Sequence, residues 1–276
     1  MKRFIATFAA LAALATPAMA ETGDTHAPEE YTWSWEGPFG TFDDAQLQRG
    51  FQVYQEVCAA CHSMDLMSFR NLAQAGGPFE YIRDPEHPGE DLTWANPNDN
   101  PVVINIASGY TYTEIDLETG EEMDRPGIPA DRFPNPYANA AQAAASNGGA
   151  APPDLSVIVK ARSGGAEYIR SLLMGYDEEV PHDVELLPGQ YYNPYFPGGV
   201  LAMGPQLFEG SVDYVDENIA ETPEQYATDV AAFLTWASEP HMEQRKRMGL
   251  AVMIFMLIFM ILLWVAYRQV WANVKH

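Results

Sequence analysis

Both cysteines of the chain stand in one five-residue stretch, Cys58-Ala59-Ala60-Cys61-His62, with the histidine directly behind the second sulfur. A disulfide would use the two sulfurs and leave that histidine without a purpose. A zinc site wants four ligands, and no second Cys/His pair at ligand spacing exists among His26, His87, His182, His241 and His276. Redox Cys-x-x-Cys motifs have no need of a histidine at this position. Cys-x-x-Cys-His is instead the attachment signal of c-type haem. Residues three and four apart share one face of a helical turn, so Cys58 and Cys61 can form thioethers with the two vinyl groups while His62 reaches the iron. The fold is therefore expected to be built around one covalently bound haem c.

The ends of the chain set its compartment. Residues 1–20 have Lys2 and Arg3 in front, an apolar middle and a small-x-small end at Ala18-Met19-Ala20, the layout of a cleaved signal peptide. That apolar middle is too short to span a ~30 Å hydrocarbon core. Near the other end, the 19 residues Gly249 to Tyr267 carry no charge, enough for one transmembrane helix. Arg245, Lys246 and Arg247 bound it on one side and Arg268 on the other, with Trp264, Tyr267 and Trp271 near one interface. The expected division is a signal peptide at 1–20, a head domain at 21–240, and a membrane anchor with a short tail at 241–276. Basic residues counted alone would place the head in the cytoplasm. A signal peptide exports everything up to a stop-transfer segment, which leaves the head outside and the C-terminus cytoplasmic. The localisation expected is a bacterial inner membrane, crossed once, with the head in the periplasm.

Charge becomes informative by segment. The whole chain carries −23, but residues 21–240 hold 8 Lys+Arg against 37 Asp+Glu, a net −29. Such a head repels nucleic acid and attracts a basic soluble protein, faster at low salt.

Local patterns supply the scaffold. Asp43 or Asp44 can cap a helix in which Leu47, Phe51, Tyr54 and Val57 form one stripe, delivering the cysteine motif at its C-terminal end. A second helix starts at Thr222 with Pro223 in its first position and Gln225 closing a capping box. Its stripe is Tyr226, Val230, Phe233 and Ala237, and it should end or kink near Pro240. Residues 76–153 are loop-rich, with a hairpin turning at Glu118 to Gly120 and a short helix at Ala140 to Ala145. Two helical pieces, broken at Gly164-Gly165, are expected between Pro153 and Tyr176.

An electron carrier fills both axial positions of the iron with protein ligands, and methionine is the partner that raises the potential. Met64 and Met67 follow His62 too closely to reach the opposite face easily, and Met174 lies in an apolar helical stretch where methionine usually fills space. Met203 stands among glycines and prolines in Phe196-Pro-Gly-Gly-Val-Leu-Ala-Met203-Gly-Pro, the composition of a shaped loop. Spacing by itself leaves the choice among these methionines open.

Five stretches in order, EVCAACHSMDLMSFRNL, FPNPYANAAQAAASNGGAAPPDLSVIVKARSGGAEYI, YYNPYFPGGVLAMGPQLF, DVAAFLTWASEP and RKRMGL before the anchor, resemble the cytochrome c1 family from about Trp35 to the end. The resemblance implies a mainly α class-I cytochrome c head with long loop insertions and a small β-hairpin, plus one C-terminal transmembrane helix. It implies His62 and Met203 as axial ligands, Arg162 and Tyr168 at a haem propionate, and the carbonyl of Pro152 or Pro153 as the group that orients His62. Many relatives have an arginine near the position of Ala144, so a haem contact there is lost or taken over. Some bacterial members carry a second cysteine pair, which this chain lacks.

The family's role is outer-sphere electron transfer from a mobile Rieske iron-sulfur subunit to a soluble or tethered cytochrome c, alongside cytochrome b in a dimeric complex. No residue here is expected to do acid-base chemistry, and the isolated chain is not expected to be an enzyme. Two other classes compete. A freestanding tethered cytochrome c donating to an oxidase is usually short-headed, unlike this chain with its long 76–135 insertion. A haem enzyme such as a peroxidase would need an open axial position or a second haem motif.

Overall fold

Asp43 opens the first helix by accepting the N–H groups of Ala45 and Gln46 on its carboxylate. In this computed structural model, which describes residues 25–82, 91–176, 179–182 and 184–273, the chain is mainly helical. In chain order the elements are α1 (Asp44–Glu56), β1 (Tyr81–Ile82), β2 (Leu92–Thr93), α2 (Pro101–Ser108), β3 (Thr111–Ile115), β4 (Glu122–Pro126) and α3 (Ala140–Ser146). They continue with α4 (Gly165–Met174), β5 (Tyr191–Tyr192), β6 (Val200–Leu201), α5 (Pro223–Ser238) and α6 (Met242–Trp271). Short 3-10 turns cover Cys58–Ala60, Phe69–Ala73 and Pro97–Asp99. Among the described residues the strands pair as three separate antiparallel two-stranded sheets. The expected signal peptide lies outside the described residues.

The core forms where α1 and α4 pack against α5. Leu47, Phe51 and Tyr54 of the expected stripe are buried, with Phe51 and Tyr54 lying 5.6 and 5.7 Å from the Phe233 ring. Val57 is only half-buried, because it caps the helix after its last turn. The two helices touch at Gly50. A Cβ there would sit 2.0 Å from the carbonyl oxygen of Asp229, so only glycine permits the approach. Beside it, the wholly buried Asp229 carboxylate takes two hydrogen bonds from Arg49, at 2.8 and 3.1 Å, and others from Tyr214 and Gln225.

α5 departs from its expected pattern in two ways. Its stripe is buried, but so are Ala227, Thr228, Ala231, Leu234 and Trp236 on its other faces, because neighbours cover it on more than one side. The capping box is half made. Thr222 accepts the Gln225 N–H at 3.4 Å, while the Gln225 amide reaches forward to Asp229 at 3.0 Å.

The loop-rich insertion holds more order than its composition suggests. The β3–β4 hairpin turns as expected, with Gly120 at φ 75°. The unexpected α2 is started by Asn100, which caps Val102 and Val103 ahead of Pro101 at the first helical position. The two helical pieces expected after Pro153 are one. Residues 156–162 form successive turns, and only α4 is helical, starting behind Gly164 at φ 88°. The β-branched run Val157-Ile158-Val159 disfavours helix, and side chains of Asp154 and Ser156 hold the start of the segment to another part of the chain.

The N-terminal segment crosses the head and ends at the anchor. Glu29 N–H donates to Ser171 Oγ, and Trp33 Nε1 donates to Glu167 at 2.9 Å. Trp33 stacks on Trp35 at 4.6 Å, and Trp35 meets Phe42 at 5.1 Å. Phe42 N–H then donates to Glu243 of α6 at 2.8 Å. α5 ends at Ser238 and α6 begins at Met242, so Pro240 marks a break between two helices. The 30 residues of α6 are long and apolar enough to cross a membrane, about 45 Å at 1.5 Å per residue.

Candidate haem site

α1 ends one residue before the cysteine motif, and the chain tightens into a 3-10 turn. Cys61 and His62 N–H groups both donate to the Cys58 carbonyl, at 3.1 and 2.9 Å. The turn thus brings the i, i+3 and i+4 residues of the motif together. Both thiols are free and half-buried. Burial, with the neighbouring Cys61, pushes the Cys58 thiol up to about 12.

His62 is held by a segment about ninety residues away. Its Nδ1 lies 2.8 Å from the Pro153 carbonyl oxygen, so of the two candidate prolines it is Pro153 whose carbonyl meets the ring. A carbonyl can only accept, so Nδ1 carries the proton and Nε2 keeps its lone pair. Burial lowers the imidazole's proton affinity, against the opposing pull of Pro153 and Asp154, and so favours the neutral form that a metal ligand needs.

Asp154 fixes that carbonyl in place. Its carboxylate accepts the Asp65 N–H at 2.7 Å and the Ser63 hydroxyl at 2.9 Å, and its other oxygen accepts the Ser156 N–H at 2.9 Å. Leu155 N–H donates to the Ser63 carbonyl, and Leu66 N–H donates to Ser156 Oγ. Burial works to raise the Asp154 carboxyl, but the hydrogen bonds from Asp65, Ser156 and Ser63 hold it below its ordinary range. The result is a clasp between two irregular segments that seats Pro153 against His62.

Met203 is half-buried two residues beyond β6, at the end of the β5–β6 hairpin. The hairpin is organised by Asn193, which is fully buried. Asn193 Nδ2 donates to the Leu172 carbonyl of α4 at 2.7 Å, its Oδ1 accepts the Tyr195 N–H, and its N–H donates to Gly199. Gly198 and Gly199, at φ 80° and 72°, let the chain turn. Tyr176 donates its hydroxyl to the Met203 carbonyl at 3.0 Å. By contrast Met64 and Met67 are buried in the core, and Met174 packs against it from the end of α4.

Arg162 is exposed, with one guanidinium nitrogen 3.1 Å from the Ala161 carbonyl. Tyr168 is buried on α4 and burial raises its hydroxyl, while the nearby Arg162 cation pulls it down. Burial also raises the Tyr176 hydroxyl, which donates to the Met203 carbonyl. Ala144 is half-buried on α3, and its carbonyl accepts the N–H groups of Asn147 and Gly149.

The donor set suits one haem c: two free thiols on one turn, a neutral imidazole with Nε2 available, and a thioether on a braced loop. Sequence reasoning missed Asp154 and Asn193. Their signals, an Asp in Pro-Pro-Asp and an Asn before Pro, are also those of ordinary turns.

Comparison with known proteins agrees with this chemistry. Residues 33–274 match the model of the Cytochrome C1 family. The chain is 45% identical over 251 residues to a protein of Saccharomyces cerevisiae named cytochrome c1, heme protein, mitochondrial, covering 91% of this chain and 74% of that one. It is 38% identical over 291 residues to the cytochrome c1 of Rhodospirillum rubrum, covering 100% and 98%. It is 41% identical to the cytochrome b/c1 of Bradyrhizobium diazoefficiens across 89% of this chain, which spans only 36% of that longer protein. With a Cys-x-x-Cys-His turn, a braced methionine loop and an apolar C-terminal helix in one chain, and with the family's model matched across nearly all of it, the chain belongs to the cytochrome C1 family.

Proposed function

We propose that this chain is the membrane-anchored electron-transfer subunit of ubiquinol-cytochrome c oxidoreductase, accepting electrons from the Rieske iron-sulfur subunit and passing them to cytochrome c. The observation that carries this reading is the His62 imidazole, oriented by the Pro153 carbonyl, on the same turn as two free cysteines. Cys58 and Cys61 attach one haem c, His62 and Met203 ligate its iron, and Arg162 with Tyr168 receives a propionate. When bound, the haem supplies a one-electron couple whose potential the axial ligands set.

The chain's own residues prepare that site. Pro153 orients His62, Asp154 holds Pro153, and Asn193 with Tyr176 braces Met203. These hydrogen bonds hold the ligands in place before any transfer, and a preorganised site lowers the reorganisation that each transfer requires. Residues 1–20 are a cleaved signal peptide, residues 21–240 form a head in the periplasm of a bacterial cell, and α6 carries the chain through the inner membrane to a cytoplasmic C-terminus. Cytochrome b stands beside it in a dimeric complex, and the acidic head receives cytochrome c. The test is stopped-flow reduction of the purified complex by ubiquinol. Oxidised c-type haem should be reduced only when the iron-sulfur subunit is present, and reduction independent of it would refute the assignment.

A further inference from the structure

A cleft with a volume of about 210 Å³ lies beside Tyr176, Tyr191 and Pro205, next to the Met203 loop, and among the described residues carries no charged side chain in its lining. A second cleft, about 140 Å³, lies elsewhere: between the loop Pro38–Thr41 and the first two turns of α6. From its chemistry we propose that it binds the phosphate of an anionic phospholipid in the leaflet facing the head.

Depth is the first argument. From Met248 onward α6 exposes an unbroken series of apolar side chains, so the residues just before it stand at headgroup level. Leu250, which lines the cleft, is only ~4.5 Å further along the axis than Arg247. Phe39, on the opposing wall, is 76% exposed, an aromatic ring presented to the boundary between headgroup and acyl chain.

Charge is the second. Residues 21–240 carry −29, yet Arg245-Lys246-Arg247 places three cations in a row at this junction. They are differently engaged. Arg245 pairs with Glu239, away from the cleft. Lys246 donates to the carbonyls of Trp35 and Gly40, which seats the loop and leaves one N–H of the ammonium uncommitted. Among the described residues Arg247 pairs only with Glu243, at 3.3 Å, and Glu243 is shared with Phe42 N–H. The cleft therefore holds two cations against one carboxylate that is already engaged. The Thr41 hydroxyl and the N–H groups of Gly40 and Thr41 have no partner among the described residues, so neutral donors stand beside the cations. Net positive charge, free donors and flanking apolar surface at one depth are what a phosphate diester with two acyl chains requires.

Native mass spectrometry of the haem-loaded full chain in detergent, titrated with phosphatidylglycerol or phosphatidylcholine, tests this. The wild type should retain one phosphatidylglycerol in preference to phosphatidylcholine. Arg247→Gln should weaken that retention about fivefold, the effect of one cation near an anionic lipid. Arg245→Gln should leave it unchanged, and Phe39→Ser should weaken both lipids. Arg247 is on the surface, and an unaltered haem spectrum and melting temperature would show that its variant is folded. Equal retention of the two lipids by the wild type would overturn the proposal, as would equal losses in Arg245→Gln and Arg247→Gln. Release of the bound lipid by excess inorganic phosphate would overturn the lipid as the occupant.

Discussion

The Nδ1 of His62 lies 2.8 Å from the carbonyl oxygen of Pro153, and that single contact settles which ring nitrogen can meet a metal. The carbonyl is aimed by Asp154, so the carboxylate should matter although it does not reach the imidazole itself. Asp154→Ala would leave the N–H groups of Asp65 and Ser156 and the Ser63 hydroxyl without their acceptor, a loss on the order of 1–2 kcal/mol for a partly exposed group. Denaturant melts of the haem-loaded protein would show it, and Asp154→Asn should recover part of the loss. The same carboxyl makes a pH prediction. Its folded value is depressed below the ordinary 3.8, so its stabilisation is complete well above pH 4 and is lost as pH falls through the depressed value. Asp154→Asn should therefore flatten the acid limb of stability and leave the neutral region displaced by a constant amount.

Replacing Cys58 or Cys61 by Ser should weaken covalent haem retention, and replacing both should abolish it, because no other cysteine exists in the chain. Haem staining on a denaturing gel reads this directly. An undiminished band from the double variant would exclude haem c attachment here.

Met203→Leu should lower the reduction potential and let the ferrous form bind carbon monoxide, while covalent haem remains. A thioether favours ferrous iron, and each ~59 mV lost shifts a one-electron equilibrium about tenfold. Met174→Leu is the control, since Met174 packs against the core. If Met174→Leu lost the potential and Met203→Leu did not, the ligand assignment would be wrong.

Gly50→Ala should destabilise the head by about 3 kcal/mol or more, because the new methyl would lie 2.0 Å from the Asp229 carbonyl oxygen and the helices must separate to admit it. Thermal unfolding followed by circular dichroism measures this. A shift no larger than that of a surface substitution would mean the α1–α5 crossing is looser than it stands here.

Electron transfer to a basic cytochrome c should slow as salt rises. A head of net charge −29 steers its partner through a field screened over roughly 8 Å at physiological ionic strength. Stopped-flow rates against ionic strength would show a falling line. A flat profile would reassign the acidity to solubility.

What could be read in advance was local. The Cys58 to His62 spacing, the cap and stripe of α1, the Pro223 start of α5, the β3–β4 turn and the apolar length of α6 each lie within a few turns of chain. Pairings made across the fold were not readable. Asp154 and Asp65 are 89 residues apart, and Glu29 and Ser171 are 142 apart, so no periodicity joins them. The 156–162 segment failed for a related reason: Asp154 and Ser156 bond distant backbone N–H groups, which adds to the weak helix preference of its β-branched run.

The short link between α5 and α6 has a mechanical consequence. Only three residues separate the two helices, and Lys246 and Glu243 fasten the first turns of α6 to Trp35, Gly40 and Phe42. The head is thus bolted to its post instead of swinging on a leash, and its height and tilt above the lipid surface are set once, at folding. Any swing of the head about this junction would have to break the Lys246 and Glu243 hydrogen bonds first, so the cost of leaning is written into the same contacts that seat the loop.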